Sequence, residues 1–244
     1  MKRTFADLHL KLNPADVVLA SRVIAKAASL GYGLVAAPFS PDMSGEVEAR
    51  LRRVCADAGV DFALRVDLLP RSREQLMHQL RRLRRRFEIL CVFCENKEVA
   101  RQAAKDRRVD LLNFPSIDYN RRFFDAAEAE LASQSLASFE VDLKPLFLLE
   151  GSARARFLST LRRECSVAGD FGVPIVLSSG VSSEMLLRKP REMAALAGLF
   201  GLDDASGLES VSTNPTAIVK RNREKLSSGF VAPGIRVVKE GSDC

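Results

Sequence analysis

Residues Phe5-Ala6-Asp7-Leu8-His9-Leu10-Lys11-Leu12 place apolar and polar side chains in alternation. On an extended strand Leu8, Leu10 and Leu12 share one face, so Asp7, His9 and Lys11 share the other. Working outward, seven further short apolar runs follow at 34–40, 62–69, 88–95, 110–115, 138–144, 174–179 and 208–213. Segments of helical period lie between and after them, at 14–30, 44–58, 72–86, 96–107, 121–135, 152–171, 190–200 and 215–226. A strict strand–helix repeat implies parallel strands, because each helix carries the chain back to the same end of the sheet. Eight such units predict an α/β fold of the closed (β/α)8, TIM-like barrel type, which commonly takes about 250 residues. No linker interrupts the pattern, so residues 1–244 read as a single barrel domain, with about 228–244 as a C-terminal extension.

Several boundaries carry their own signals. Asn13-Pro14 and Asn214-Pro215 each set a cap residue before a proline, whose missing N–H costs nothing in a first helical turn. Ser72 followed by Gln75 resembles a capping box, and Gly31, Gly59 and Gly172 stand where helices should stop.

The polar face of the first strand should line the barrel lumen, and the same parity points Arg65, Asp67, Glu140, Asp142, Lys144 and Glu209 inward. Barrel interiors are ordinarily filled by branched apolar side chains. A charged lumen has two readings. One is a buried ion-pair network in which Lys11, Arg65 and Lys144 balance the carboxylates. The other is an active site, since Asp7-Leu8-His9-Leu10-Lys11 resembles the D-x-H-x-H opening motif of PHP-type metallohydrolases. Lys11 stands where that motif has its last histidine, and a protonated lysine has no lone pair to give a metal. Only His9 and His78 are available in the whole chain, and His78 falls within a helix. The expectation is therefore no bound metal, no cofactor, no catalytic residue, and a structural role for Asp7, His9 and Lys11. Cys91 and Cys94 form a C-x-x-C, but on a strand they point to opposite faces and cannot converge on one ion. Nucleophile-elbow, phosphate-loop and dinucleotide fingerprints are absent. Ser178-Ser179-Gly180 ends the seventh strand and is a candidate anion site, with the helix after Asn214-Pro215 as an assistant.

Net charge is +6, and the segment from Arg71 to Arg108 alone holds twelve basic against five acidic residues. The basicity is thus one patch. In the third helix Leu76, Leu80, Leu83 and Phe87 form a narrow apolar stripe, while Arg81, Arg82, Arg84, Arg85 and Arg86 take up the rest of the circumference. Solvated faces normally mix Glu with Lys, whereas clustered arginines suit bidentate phosphate contacts. Arg73, Arg107, Arg108, Arg121 and Arg122 extend the candidate RNA-binding set, and Lys220, Arg221 and Arg223 form a second group on the last helix. Aromatic residues are few, so base stacking is not the expected mode. Five scattered cysteines, early charges at Lys2 and Arg3, and the lack of a long apolar run point to a cytoplasmic protein with no membrane partner.

The ordered set of motifs resembles the family of thirty-kilodalton protein subunits of archaeal and eukaryotic ribonuclease P. The likeness starts at Phe5-Ala6-Asp7-Leu8-His9 and continues through Arg108-Val109-Asp110-Leu111-Leu112-Asn113-Phe114-Pro115 and Phe139-Glu140-Val141-Asp142-Leu143. It then takes in Pro174-Ile175-Val176-Leu177-Ser178-Ser179-Gly180, Leu187-Arg188-Lys189-Pro190-Arg191-Glu192, Asn222-Arg223-Glu224-Lys225-Leu226 and Pro233-Gly234. The resemblance implies a PHP-like barrel that binds ribonuclease P RNA and precursor tRNA and pairs with an RRM-like subunit. It also implies that the catalytic RNA, with its own magnesium ions, removes the 5′ leader. The competing expectations are a PHP-type phosphoesterase with a reduced metal site and a phosphate-binding metabolic barrel.

Overall fold

The computed structural model describes residues 3–13, 16–232 and 235–236. Seven strands pair in chain order and all run parallel: β1 (Phe5–Asp7), β2 (Tyr32–Pro38), β3 (Asp61–Leu68), β4 (Ile89–Phe93), β5 (Leu111–Asn113), β6 (Ser138–Asp142) and β7 (Ile175–Ser178). The helices are α1 (Val17–Leu30), α2 (Gly45–Asp57), α3 (Arg73–Leu83), α4 (Lys97–Lys105), α5 (Ala126–Ser133), α6 (Lys144–Leu148), α7 (Gly151–Asp170), α8 (Pro190–Leu196), α9 (Asp204–Ser210) and α10 (Thr213–Leu226). An antiparallel hairpin, β8 (Phe230–Ala232) with β9 (Ile235–Arg236), follows within the stretch expected to be an extension. The class is the expected TIM-like barrel, nearly closed. No described helix is long and apolar enough to cross a membrane.

The eighth strand is not there. Residues 208–213 form the end of α9 and the turn into α10. A short apolar run does not distinguish a buried helix from a strand, and here the decisive signals lie just upstream. The Asp203 carboxylate accepts the Ser206 N–H at 2.7 Å, capping α9. Gly207 lets that helix lie against α8, where a Cβ would come within 2.7 Å of the Ala194 carbonyl oxygen. Glu209, expected to face inward, is exposed. The seam between β7 and β1 is closed by backbone bonds instead: Ala6 N–H to Val211 C=O, Gly180 N–H to His9 C=O and Lys11 N–H to Val181 C=O, at 2.9–3.0 Å.

Two apolar layers result. The larger lies between strands and outer helices and includes the α3 stripe, with Leu76, Leu80, Leu83 and Phe87 all buried. The smaller fills the lumen at the strand N-termini, where Ala6, Leu34, Ala63, Ile89, Leu111 and Val176 meet Ile218 and Val219 of α10. Helix α10 thus crosses that end of the barrel and plugs it. Cys91 belongs to the inner layer and Cys94 to the outer one, as strand parity requires.

Helix starts differ in detail from expectation. Helix α1 is capped by Asp16, whose carboxylate accepts the Leu19 N–H at 2.9 Å, and Pro14 lies outside the described residues, as do Pro233 and Gly234. Pro215 does sit in the first turn of α10, but Asn214 turns its side-chain amide to the Ile175 carbonyl (2.8 Å) rather than capping. Ser72 caps α3 as expected, accepting from Gln75 N–H.

Candidate functional site

The lumen changes character at the strand C-termini. Register sets Asn113 beside Glu140 and Asp142 beside Ser178, and parity adds Arg65 and Asp67 to the same inner face. Strand β1 ends at Asp7 and the chain bends at Leu8. The expected alternation therefore fails there: Leu8 joins the inner apolar layer, while Asp7 and His9 still reach the polar one.

Glu140 is the hub. Arg65 donates to both its oxygens at 2.6 and 2.8 Å, and Asn113 Nδ2, Ser178 Oγ and Cys91 Sγ add bonds at 2.9, 2.7 and 3.4 Å. Arg65 has no exposed surface, and it also donates to Asp67 (2.7 Å) and to the Leu8 carbonyl (2.8 Å). His9 lies between two carboxylates, with Nδ1 at 2.8 Å from Asp142 and Nε2 at 3.3 Å from Asp67. Burial and the Arg65 charge oppose protonation of His9, yet Asp142 and Asp67 outweigh them and raise its pKa to about 9. Burial works against the Asp67 and Glu140 charges too, but Arg65 and His9 hold both well below the usual carboxylate range. Burial pushes Asp7 up, against the Ser179 and His9 N–H bonds to its Oδ1 at 3.1 Å.

Besides Glu209, two expected members stand elsewhere. Lys11 is exposed and Lys144 half-buried; both line a small cavity of about 90 Å³ at the barrel mouth and neither has an ion pair among the described residues. The reason is backbone geometry: β6 stops at Asp142 and Lys144 already opens α6. The Ser178-Ser179-Gly180 amides are also not free to cradle an anion. Ser179 N–H donates to Asp7 and Gly180 N–H to the His9 carbonyl, and the start of α10 lies at the opposite end of β7. Gly180, at φ 66°, is needed where it is, because a Cβ there would come 2.8 Å from the Asp142 carboxyl carbon. Asn113 is a network member that sequence reading missed, although its parity with Leu111 would have placed it inward.

The basic residues separate into two groups. Five are held in internal ion pairs: Arg84 bonds Asp110 at 2.5 Å; Arg108 bonds Asp106 at 2.7 Å; Arg122, buried, bonds Glu164 at 2.6 Å; Arg221 bonds Asp110 at 3.0 Å; and Arg223 bonds Glu88 and Asp61, each at 2.5 Å. Arg122 is buried, which corrects the expectation that it reaches RNA; Arg84, Arg108, Arg221 and Arg223 are held by ion pairs but stay partly exposed. Arg73, Arg81, Arg82, Arg85, Arg86, Arg107, Arg121 and Lys220 are exposed. Of them Arg82 touches Asp42 and Arg86 the Pro41 and Met43 carbonyls, and His78 is exposed beside them on α3.

Known proteins can now be set beside this geometry. The family model for RNase P subunit p30 matches residues 4–227. The chain belongs to the RNase P subunit p30 family. Among its relatives, ribonuclease P protein component 3 of Methanosarcina acetivorans is 33% identical over 178 residues, 73% of each chain. The protein of the same name from Methanococcoides burtonii is 25% identical over 236 residues, 97% of this chain and 95% of that one. In fold, this p30-family chain matches a chain of an archaeal ribonuclease P solved with mature tRNA, at TM-score 0.83 and 18% identity, covering 98% of this chain and all of that one. It also matches the A. niger ochratoxinase barrel at TM-score 0.60 and 12% identity, covering 88% of this chain and 71% of that one.

The imidazole and carboxylates gathered in the lumen make a metal the natural question. Among the described residues, His9, Glu140 and Asp142 can bring donor atoms within 4.8 Å of one another. The set does not fit a resident ion. Arg65 already holds both Glu140 oxygens, and the His9 ring nitrogens already face Asp142 and Asp67, so an ion would have to displace the Arg65 guanidinium from its carboxylate.

Proposed function

We propose that this ribonuclease P subunit acts through electrostatics and shape, presenting a rigid barrel whose outward cations neutralise RNA phosphates inside the holoenzyme. Hydrolysis that removes the 5′ leader of precursor tRNA then belongs to the catalytic RNA and its magnesium ions, and an RRM-like subunit is the protein partner. One observation carries the reading. In the lumen Arg65 and His9 are tied to Asp67, Glu140 and Asp142, whereas Arg81, Arg85, Arg107 and Lys220 face solvent with no ion pair among the described residues. A site built for chemistry would leave a reactive group poised toward substrate. The outward cations Arg81, Arg85, Arg107 and Lys220 lie where counterion release favours binding to a polyanion. The archaeal ribonuclease P solved with mature tRNA contains a chain of this fold, which supports tRNA as the substrate class.

Reconstitution of the chain with ribonuclease P RNA and candidate protein subunits tests this, with precursor-tRNA cleavage followed across magnesium concentrations. The expected result is no cleavage by the isolated chain and a lower magnesium requirement for the RNA when the chain is present. Metal-dependent phosphodiester hydrolysis by the chain alone, abolished by His9→Ala, would replace this reading with the phosphoesterase one.

A further inference from the structure

The two basic groups that are far apart in sequence meet in space. Arg84, at the end of α3, and Arg221 of α10 donate to opposite oxygens of a single buried carboxylate, Asp110, just before β5. Arg84 also donates to the Arg108 carbonyl at 3.0 Å, and Asn222 of α10 to Asp110 at 2.7 Å. The end of α3, the α4–β5 turn and α10 are thereby locked at one place, the end of the barrel that carries the strand N-termini. Two guanidinium groups on one carboxylate leave that junction positive. Around it Arg81, Arg85, Arg107, Lys220 and Lys225 are exposed and have no ion pair among the described residues. Lys225 lies one turn beyond Arg221 on α10, and burial together with the nearby Arg221, Arg84 and Arg107 charges pushes its ammonium below the usual range. Arg84 of the α3 end, Arg107 of the α4–β5 turn and Arg221 and Lys225 of α10 thus lie close enough to act on one another.

We propose that this N-terminal end of the barrel, where α3, the α4–β5 turn and α10 converge, is the surface that meets the phosphate backbone of RNA. The assignment rests on the RNA-binding reading above. Chemistry favours RNA over a protein partner here. The centre of a protein interface is depleted in charge and rich in apolar and aromatic side chains, yet α3, the α4–β5 turn and α10 expose no large apolar residue. Exposed Val18, Leu69, Ile117, Leu148 and Met185 follow β1, β3, β5, β6 and β7, at the mouth, while Phe171 before β7 and Val231 and Ile235 in the hairpin after α10 lie outside these three elements. Unpaired arginines repel each other in the free protein, and phosphates relieve that repulsion while filling the guanidinium fork.

The test uses the full chain and a ribonuclease P RNA transcript, with affinity measured at several salt concentrations. The variant Arg81→Gln/Arg85→Gln/Arg107→Gln removes three cations that make no hydrogen bond or ion pair among the described residues, so its folded signal and melting temperature serve only to confirm integrity. The charge-matched control is Lys26→Gln/Arg156→Gln/Arg163→Gln, on the exposed faces of α1 and α7. The patch variant should flatten the slope of log affinity against log salt by about one unit per lost contact, up to about three, while the control keeps the wild-type slope. An unchanged slope in the patch variant, or an equal loss in the control, overturns the assignment and leaves the ribonuclease P reading standing. Loss of a protein subunit from the reconstituted complex with the RNA slope intact would make this a protein interface and overturn it too. Failure of the wild-type chain to bind the transcript would sink the functional reading itself.

Discussion

At the residue scale, Arg65 is the side chain on which the lumen depends. It holds Glu140 through two bonds and Asp67 through a third, and all three groups are buried or nearly so. Replacing Arg65 by Met leaves two carboxylates without their partner, and removal of one member of a buried pair costs about 3–5 kcal/mol. Urea unfolding should show that loss. Lys11, by contrast, is exposed and outside the network, so Lys11→Met should change stability by no more than about 0.5 kcal/mol. Equal effects of the two substitutions would contradict this division. His9 makes the same network sensitive to pH. Its pKa is raised from 6.5 to about 9, so the folded state holds the proton more tightly than the unfolded chain. The corresponding stability is complete below about pH 6.5 and is lost as pH rises through 9, on the order of 3 kcal/mol at most. Asp67 and Glu140, lowered by Arg65 and His9, contribute with the opposite sign, and their share disappears as pH falls below the ordinary carboxylate range. Unfolding midpoints measured from pH 6 to 10 should fall steadily in the wild type and more gently in His9→Gln. A parallel decline in both would show that His9 is not the titrating group.

At the scale of elements, α3 shows how a helix can look like one thing in sequence and be two in space. Its run of arginines reads as a uniform surface patch, but Arg84 turns under the helix end to bond Asp110 and the Arg108, Phe87 and Glu88 carbonyls, while its neighbour Arg85 stays outside. Arg84→Gln should therefore cost about 1–3 kcal/mol, since a charge-assisted network is broken, and Arg85→Gln next to nothing. Thermal melts of the two single variants decide it, and an Arg84→Gln protein as stable as wild type would place that side chain back among the surface cations. Strands β2 to β7 were legible because parallel strands covered on both faces appear as short apolar runs flanked by helical periodicity. The run at 208–213 has the same look, and only the Asp203 cap and the close contact of Gly207 with α8 make it a helix. Parity in β3 and β6 correctly brought Arg65, Asp67, Glu140 and Asp142 together. It failed at Leu8, where the chain bends, and at Lys144, where a helix begins, because parity holds only while the backbone stays extended. The Asp110 and Glu88 latch on α10 was invisible, since Asp110 and Asn222 are 112 residues apart and no periodicity links them.

At the scale of the whole molecule, the barrel is fastened at both ends by different means. At the mouth, Arg65, His9, Asp67, Glu140 and Asp142 tie β1, β3 and β6 to one another across the lumen. At the other end, α10 inserts Ile218 and Val219 into the apolar layer and fixes itself through Asn222 to the Glu88 carbonyl at 2.8 Å and to Asp110. The sheet lacks a hydrogen-bonded eighth strand, so closure between β7 and β1 rests on bonds to segments at both ends: His9 and Lys11 at the mouth, Val211 at the plug. Loosening either fastening should thus weaken one cooperative unit rather than release a separate piece. We expect Asn222→Ala, which leaves a buried carbonyl and carboxylate short of a donor, to cost about 1–3 kcal/mol. Arg65→Met acts through different partners in a different layer, and the effects of independent sites add within about 0.5 kcal/mol. The double variant should accordingly unfold in a single transition, at a midpoint given by the sum of the two losses, with far-ultraviolet circular dichroism and tyrosine fluorescence coinciding. Two transitions, or probes that separate, would show that the mouth and the α10 plug fold as distinct units and that the seam between β7 and β1 does not transmit stability from one to the other.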